Sequence, residues 1–108
     1  MYPDWIKKLP RIETPFAGTF GWLLSGPHGQ VVFWEFPDGA EVPTHRHGPQ
    51  MGVILQGRTA MVIDGLPCVF NAGETFAIGD QVEHSAAVDP GTCIIEFYQD
   101  PDRHKAPG

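Results

Sequence analysis

The sequence predicts an all-β domain, an antiparallel sandwich or barrel, and three observations predict it. Glycine (13) and proline (11) are abundant and fall between short apolar runs. Leucine-rich or alanine-rich amphipathic stretches, the mark of a helical chain, are missing. Apolar runs of strand length follow one another from residue 20 to residue 99, and turn residues close each of them.

Taken in order, residues 1–15 carry Pro3, Pro10 and Pro15 around a short "DWIKK" piece with room for one helical turn, and they read as an arm. Strands are expected at 20–24, 30–36, 41–47, 50–56, 59–64, 68–70, 75–78, 83–88 and 92–99. Their punctuation is Gly26-Pro27, Pro37-Asp38-Gly39, Gly48-Pro49, Asp64-Gly65, Asn71-Ala72-Gly73, Gly79-Asp80 and Asp89-Pro90-Gly91. Residues 16–100 form the barrel, and the polar stretch 101–108 is an exposed tail. Cys93, Ile95 and Phe97 alternate with Thr92, Ile94, Glu96 and Tyr98, and the first set reads as core. Glu35 and Glu96 read as solvated outer-face residues, with their parity unassigned. Runs 31–36 and 93–97 carry apolar side chains on both faces, which suggests a homodimer that buries a sheet face.

A chain of 108 residues supports one domain with a small core. The net charge of −6, with Lys7-Lys8 the one adjacent basic pair, argues against nucleic acid as a partner. No apolar run approaches a membrane span, and no export signal is visible. The expected compartment is therefore the cytoplasm, with Cys68 and Cys93 as reduced thiols rather than a disulfide.

The chemistry concentrates in "PTHRHGPQMGVILQG", residues 43–57. On a strand, His45 and His47 share a face and Arg46 takes the other. Gly48-Pro49 is expected to turn the chain as a hairpin, so that Gln50 opens the next strand beside His47. His84 is the candidate fourth group. His28, in a loop, and His104, in the tail, read as surface histidines. No general base or nucleophile stands out beyond these residues.

Gly39, His45, His47, Gln50 and Gly57, with five, one, two and six residues between them, resemble the first cupin motif. Gly73, Gly79, Gln81, His84 and Val88, spaced by five, one, two and three, resemble the second. The motif's acidic position is Gln50 here, one residue early, and its Pro, Gly and Asn positions are Gly79, Gln81 and Val88. The resemblance implies a double-stranded β-helix, a jelly-roll barrel of two antiparallel sheets. It also implies one divalent transition metal (Fe, Zn, Ni, Mn or Cu) held by His45, His47, Gln50 and His84. Imidazole nitrogens and an amide carbonyl suit such an ion.

Glutamine, unlike glutamate, cancels none of the ion's charge. The site is therefore expected to recruit a small anionic molecule at its open positions. Two kinds of function follow. One is a dioxygenase-type oxidoreductase or a metal-dependent isomerase; the other is a non-catalytic module that binds or senses a small ligand.

Overall fold

The computed structural model describes residues 1–106. Among these residues there are nine strands: β1 Phe20–Gly26, β2 Gly29–Phe36, β3 Ala40–His45, β4 Gln50–Gln56, β5 Arg58–Ile63, β6 Leu66–Asn71, β7 Thr75–Ile78, β8 His84–Val88 and β9 Thr92–Tyr98. They form two antiparallel sheets, one in the order β1-β2-β9-β4-β7 and the other β3-β8-β5-β6. This is the jelly-roll barrel that the resemblance to cupins implies. Among the described residues no helix is long and apolar enough to cross a membrane.

The core fills the space between the sheets. Val32, Trp34 and Phe36 of β2, Ile94 and Tyr98 of β9, Ile54 of β4 and Phe76 and Ile78 of β7 share the inner face of one sheet and cluster with Met61 of β5 and Val88 of β8 from the other. Val32 and Ile54 are wholly buried. Each contributes about 1.5–3 kcal/mol of transfer free energy.

A second apolar cluster lies on the outer face of the five-stranded sheet. Tyr2 and Ile6 of the N-terminal segment pack there on Trp22 and Cys93, with Phe33 and Ile95 around them. The Tyr2 hydroxyl donates to the Trp34 carbonyl at 2.8 Å, and Ile6–Lys8 forms a 3-10 turn.

This second cluster reverses one expectation. Ile94, Glu96 and Tyr98 point inward, whereas Cys93 and Ile95 lie beneath the N-terminal segment and Phe97 is exposed. Strand β9 is apolar on both faces because each face has its own cover, so alternation alone could not say which face was inside. Glu35, opposite Cys93 on the outer face, lies 3.7 Å from the N-terminal amine and 3.9 Å from Lys7 Nζ. Cys68 and Cys93 are free thiols in different sheets.

Two expectations around the histidines also change. Strand β3 ends at His45, so His47 lies in a loop, and the β3–β8 register shifts between Val42 and His45. Gly48-Pro49 does not close a hairpin: β3 and β4 belong to different sheets, and the loop crosses between them. Three contacts hold that crossing. The Gln81 N–H donates to the His47 carbonyl at 2.8 Å, Gln99 N–H to the Pro49 carbonyl at 3.0 Å, and Gly48 N–H to Asp100 Oδ2 at 3.1 Å. A Cβ at Gly48 would run into that carboxylate, so a larger residue there would displace Asp100 and its hydrogen bond.

Candidate metal centre

Between the sheets lies a cavity of about 570 Å³, and the three histidines of the two motifs meet on its wall. His45 and His84 are direct partners across β3–β8, with ring centroids 4.2 Å apart. The ring of His47 reaches them from the loop, 5.3 Å from His45 and 4.9 Å from His84. Their potential ligand atoms lie within 4.8 Å of one another.

Each imidazole is oriented by a backbone carbonyl. Nδ1 of His45 meets the Pro43 carbonyl at 2.8 Å, Nδ1 of His47 the Gly48 carbonyl at 2.8 Å, and Nδ1 of His84 the Val82 carbonyl at 2.9 Å. A carbonyl only accepts, so Nδ1 carries the proton and the lone pair sits on Nε2. This is the second contact that metal-bound histidines make in general. Nε2 of His84 is buried and has no partner. Burial lowers the pKa of His47 and His84, and the charge of Arg103 adds to it, so both rings favour the neutral, lone-pair-bearing form.

Gln50 is buried on β4 and lines the same cavity. Its Nε2 donates to the carboxylate of Glu96, which also accepts from the Tyr98 hydroxyl at 3.1 Å. Oε1 of Gln50 is buried without a partner. Leaving such an acceptor unmet costs about 1–3 kcal/mol. Three imidazole nitrogens and one free amide oxygen are a donor set that fits a divalent transition metal.

Glu96 was read as an outer-face residue and instead lies inside, buried, with its pKa pushed up to about 7 by that burial. It alters the charge argument made from the sequence. Gln50 is neutral, but the Glu96 carboxylate one hydrogen bond away offsets part of an ion's charge once it has given up its proton. It also places a proton-accepting group in the cavity where none was foreseen.

The C-terminal segment departs further from expectation. Arg103 and His104 are half-buried and line the cavity, although 101–108 was read as an exposed tail; Pro107 and Gly108 lie outside the described residues. The amide of Gln30 locks His104 in place: Nε2 donates to the His104 carbonyl and Oε1 accepts from the His104 N–H, both at 2.8 Å. The His104 ring stacks edge-on against Trp34 and Tyr98. Arg103 makes no ion pair among the described residues, and its buried Nε has no partner. His28, by contrast, stays exposed in the β1–β2 turn.

Spacing thus identified four residues that the fold brings to one cavity, and missed Glu96, Tyr98, Arg103 and His104. The alternation of Glu96 with Tyr98 was a usable signal once the face was known. Nothing local marked Arg103.

No protein-family model matches the chain, and neither does any curated protein. Solved structures do. An RmlC-like cupin from Shewanella frigidimarina is 28% identical with a TM-score of 0.74, covering 87% of this chain and 86% of that one. KdgF from Halomonas sp. is 22% identical with a TM-score of 0.73, covering 84% and 87%. Salicylate 1,2-dioxygenase from Pseudaminobacter salicylatoxidans is 18% identical with a TM-score of 0.71; 82% of this chain matches 28% of that one. The last two likenesses concern the fold alone. With both histidine motifs in register, the strand order of the two sheets and the similarity to the Shewanella protein, the chain is a member of the cupin superfamily.

Proposed function

We propose that this cupin binds one divalent transition metal through His45, His47, Gln50 and His84 and takes a small anionic molecule in the cavity beside it, as a dioxygenase-type oxidoreductase. The observation that carries the reading is the set of buried, unpartnered acceptors, Nε2 of His84 and Oε1 of Gln50, contributed to one cavity by the two facing sheets. A bound ion supplies Lewis-acid polarisation of a substrate oxygen and, where redox-active, oxygen chemistry.

The chain's own groups do the rest. Arg103, without an acidic partner among the described residues, is the cation that attracts and orients a carboxylate or enolate. Trp34, Phe36, Phe76 and Ile94 wall the cavity with apolar surface that keeps water from the reacting atoms. The salicylate dioxygenase, of which this chain matches 30%, has also been solved as adducts with gentisate.

A second reading, a metal-dependent isomerase, gains from Glu96. An isomerase needs a group that moves a proton, and this carboxylate faces the cavity beside the proposed ligands. A third reading, a binding or sensing module, needs no such group. The proposal includes a homodimer in the cytoplasm, in keeping with two free thiols and an apolar outer sheet face.

The test is elemental analysis of protein purified without an affinity tag, followed by oxygen uptake with small carboxylic acids and the metal found. His84→Ala is expected to lose the metal and His28→Ala to retain it. Full metal content in the His84→Ala protein removes the site. Metal without oxygen uptake, but with proton exchange into a bound enolisable acid, transfers the assignment to the isomerase.

A further inference from the structure

We propose that Glu96 is a positioning residue of the metal centre. Its buried carboxylate holds the Gln50 amide by its Nε2 end so that the carbonyl oxygen is left free for the ion, and it places one hydrogen bond away the acid that Gln50 lacks. This inference rests on the metal reading above.

An amide side chain has a donor end and an acceptor end, and rotation by half a turn exchanges them. Only the acceptor end serves a cation. Gln50 must therefore be held in one of its two orientations, and a carboxylate oxygen that accepts from Nε2 is the partner that does so. Glu96 takes the Nε2 end of the amide, and Oε1 is left free and buried. The Tyr98 hydroxyl anchors the same carboxylate oxygen at 3.1 Å, so the carboxylate is itself fixed.

The strand register explains why Glu96 reaches. In the β4–β9 ladder Gln50 pairs with Tyr98, and Gly52 pairs with Glu96. Gln50 and Glu96 are thus diagonal neighbours on the inner face, a separation that long side chains span. The residue directly opposite Glu96 is glycine, where a Cβ would stand 2.4 Å from the Phe76 ring. No side chain at position 52 competes for the carboxylate.

The charge follows the same logic. His45, His47, His84 and Gln50 are neutral as ligands, and Glu96 is the buried carboxylate among the residues lining the cavity. The resembling motif carries its acid at the ligand position; this chain carries it across the strand pair. One consequence is specific. Gln50→Glu alone sets two carboxylates in buried contact, whereas the exchange Gln50→Glu with Glu96→Gln keeps one charge and one hydrogen bond.

The experiment titrates Co²⁺ into the metal-stripped full chain. It reads the visible spectrum of the bound ion and its dissociation constant by chelator competition, with thermal melting to show that each protein folds. Glu96→Gln is expected to weaken Co²⁺ binding by roughly tenfold or more and to alter the spectrum. In that variant the amide at position 96 can donate to the Gln50 oxygen and turn it from the ion. Glu96→Asp, which keeps the charge but withdraws it by one methylene, is expected to show an intermediate loss. The exchanged double variant is expected to regain at least wild-type affinity and to exceed Gln50→Glu alone.

Unchanged affinity and spectrum in a folded Glu96→Gln or Glu96→Asp protein overturns the proposal while the metal site stands. A wild-type chain that takes up no Co²⁺ overturns the metal reading and this inference with it.

Discussion

Gln81 stands where the second motif has glycine, and its φ is 59°, in the left-handed region that glycine favours. The backbone kept the geometry although the residue changed. The Gln81 N–H donates to the His47 carbonyl, so this turn steadies the loop that carries a candidate ligand. A non-glycine residue held there costs about 1–2 kcal/mol. Glycine removes that strain but adds chain entropy to the unfolded state, about 0.5–1 kcal/mol. Gln81→Gly is thus expected to raise stability by up to about 1 kcal/mol, a few degrees in thermal melting, with metal retention unchanged. A lower melting temperature would mean that the side chain, through its contact with Asp80, outweighs the strain. Gly57 is the opposite case. At φ 84°, with Thr92 Oγ1 only 2.4 Å from where a Cβ would be, it tolerates no side chain. Gly57→Ala is expected to cost more than 1 kcal/mol, read by denaturant unfolding.

At the scale of elements, the segment 103–106 behaves as a cover over the cavity, held by the Gln30 amide and the docked His104 ring. Burial, together with the charge of Arg103 and the neighbouring His47, lowers the His104 pKa to about 4. The ring is neutral when docked and carries its ordinary value near 6.5 when released. Protons therefore bind the released form more readily. Docking is fully favoured above about pH 6.5 and weakens as pH falls toward 4. Trp34 fluorescence, or hydrogen exchange at the His104 amide, is expected to report release across that window. His104→Phe, which cannot take up a proton, is expected to abolish the pH dependence. Gln30→Ala is expected to release the segment at all pH values.

For the whole molecule, the outer face of the five-stranded sheet is the surface on which the proposed homodimer would form. The N-terminal segment covers the Trp22 and Cys93 region, leaving Leu24 51%, Met51 43% and Phe97 41% exposed beyond it. Met51 and Phe97 are direct cross-strand partners, so the uncovered surface is continuous. A homodimer burying it is expected to scatter light with about twice the 11.9 kDa chain mass at micromolar concentration. Phe97→Asp is expected to return it to monomer. Because each chain carries a net charge of −6, added salt is expected to favour the dimer by screening the repulsion. A monomer at every salt and protein concentration would show that the exposed patch is too small to drive association.

The nine strands were legible because what marks them is local: glycine and proline at the turns, and apolar residues between. The two motifs were legible for a related reason. Glycines at fixed spacing carry backbone geometry, and three of them, Gly39, Gly57 and Gly73, take positive φ as that spacing requires. The sequence by itself therefore determined the all-β class, the jelly-roll expectation and the four residues His45, His47, Gln50 and His84. Tertiary structure alone decided which face of β9 lies inside, that β3 and β4 join different sheets, and that Glu96, Arg103 and His104 reach the same cavity. The physical reason is one of range. A strand with two apolar faces has no preferred inside until something covers each face, and here the covers are the opposing sheet and a segment about ninety residues away in sequence. Arg103 and His104 are placed by Gln30, more than seventy residues earlier. Contacts of that separation leave no mark in local spacing, because each side chain reads as ordinary until the fold sets it against its partner.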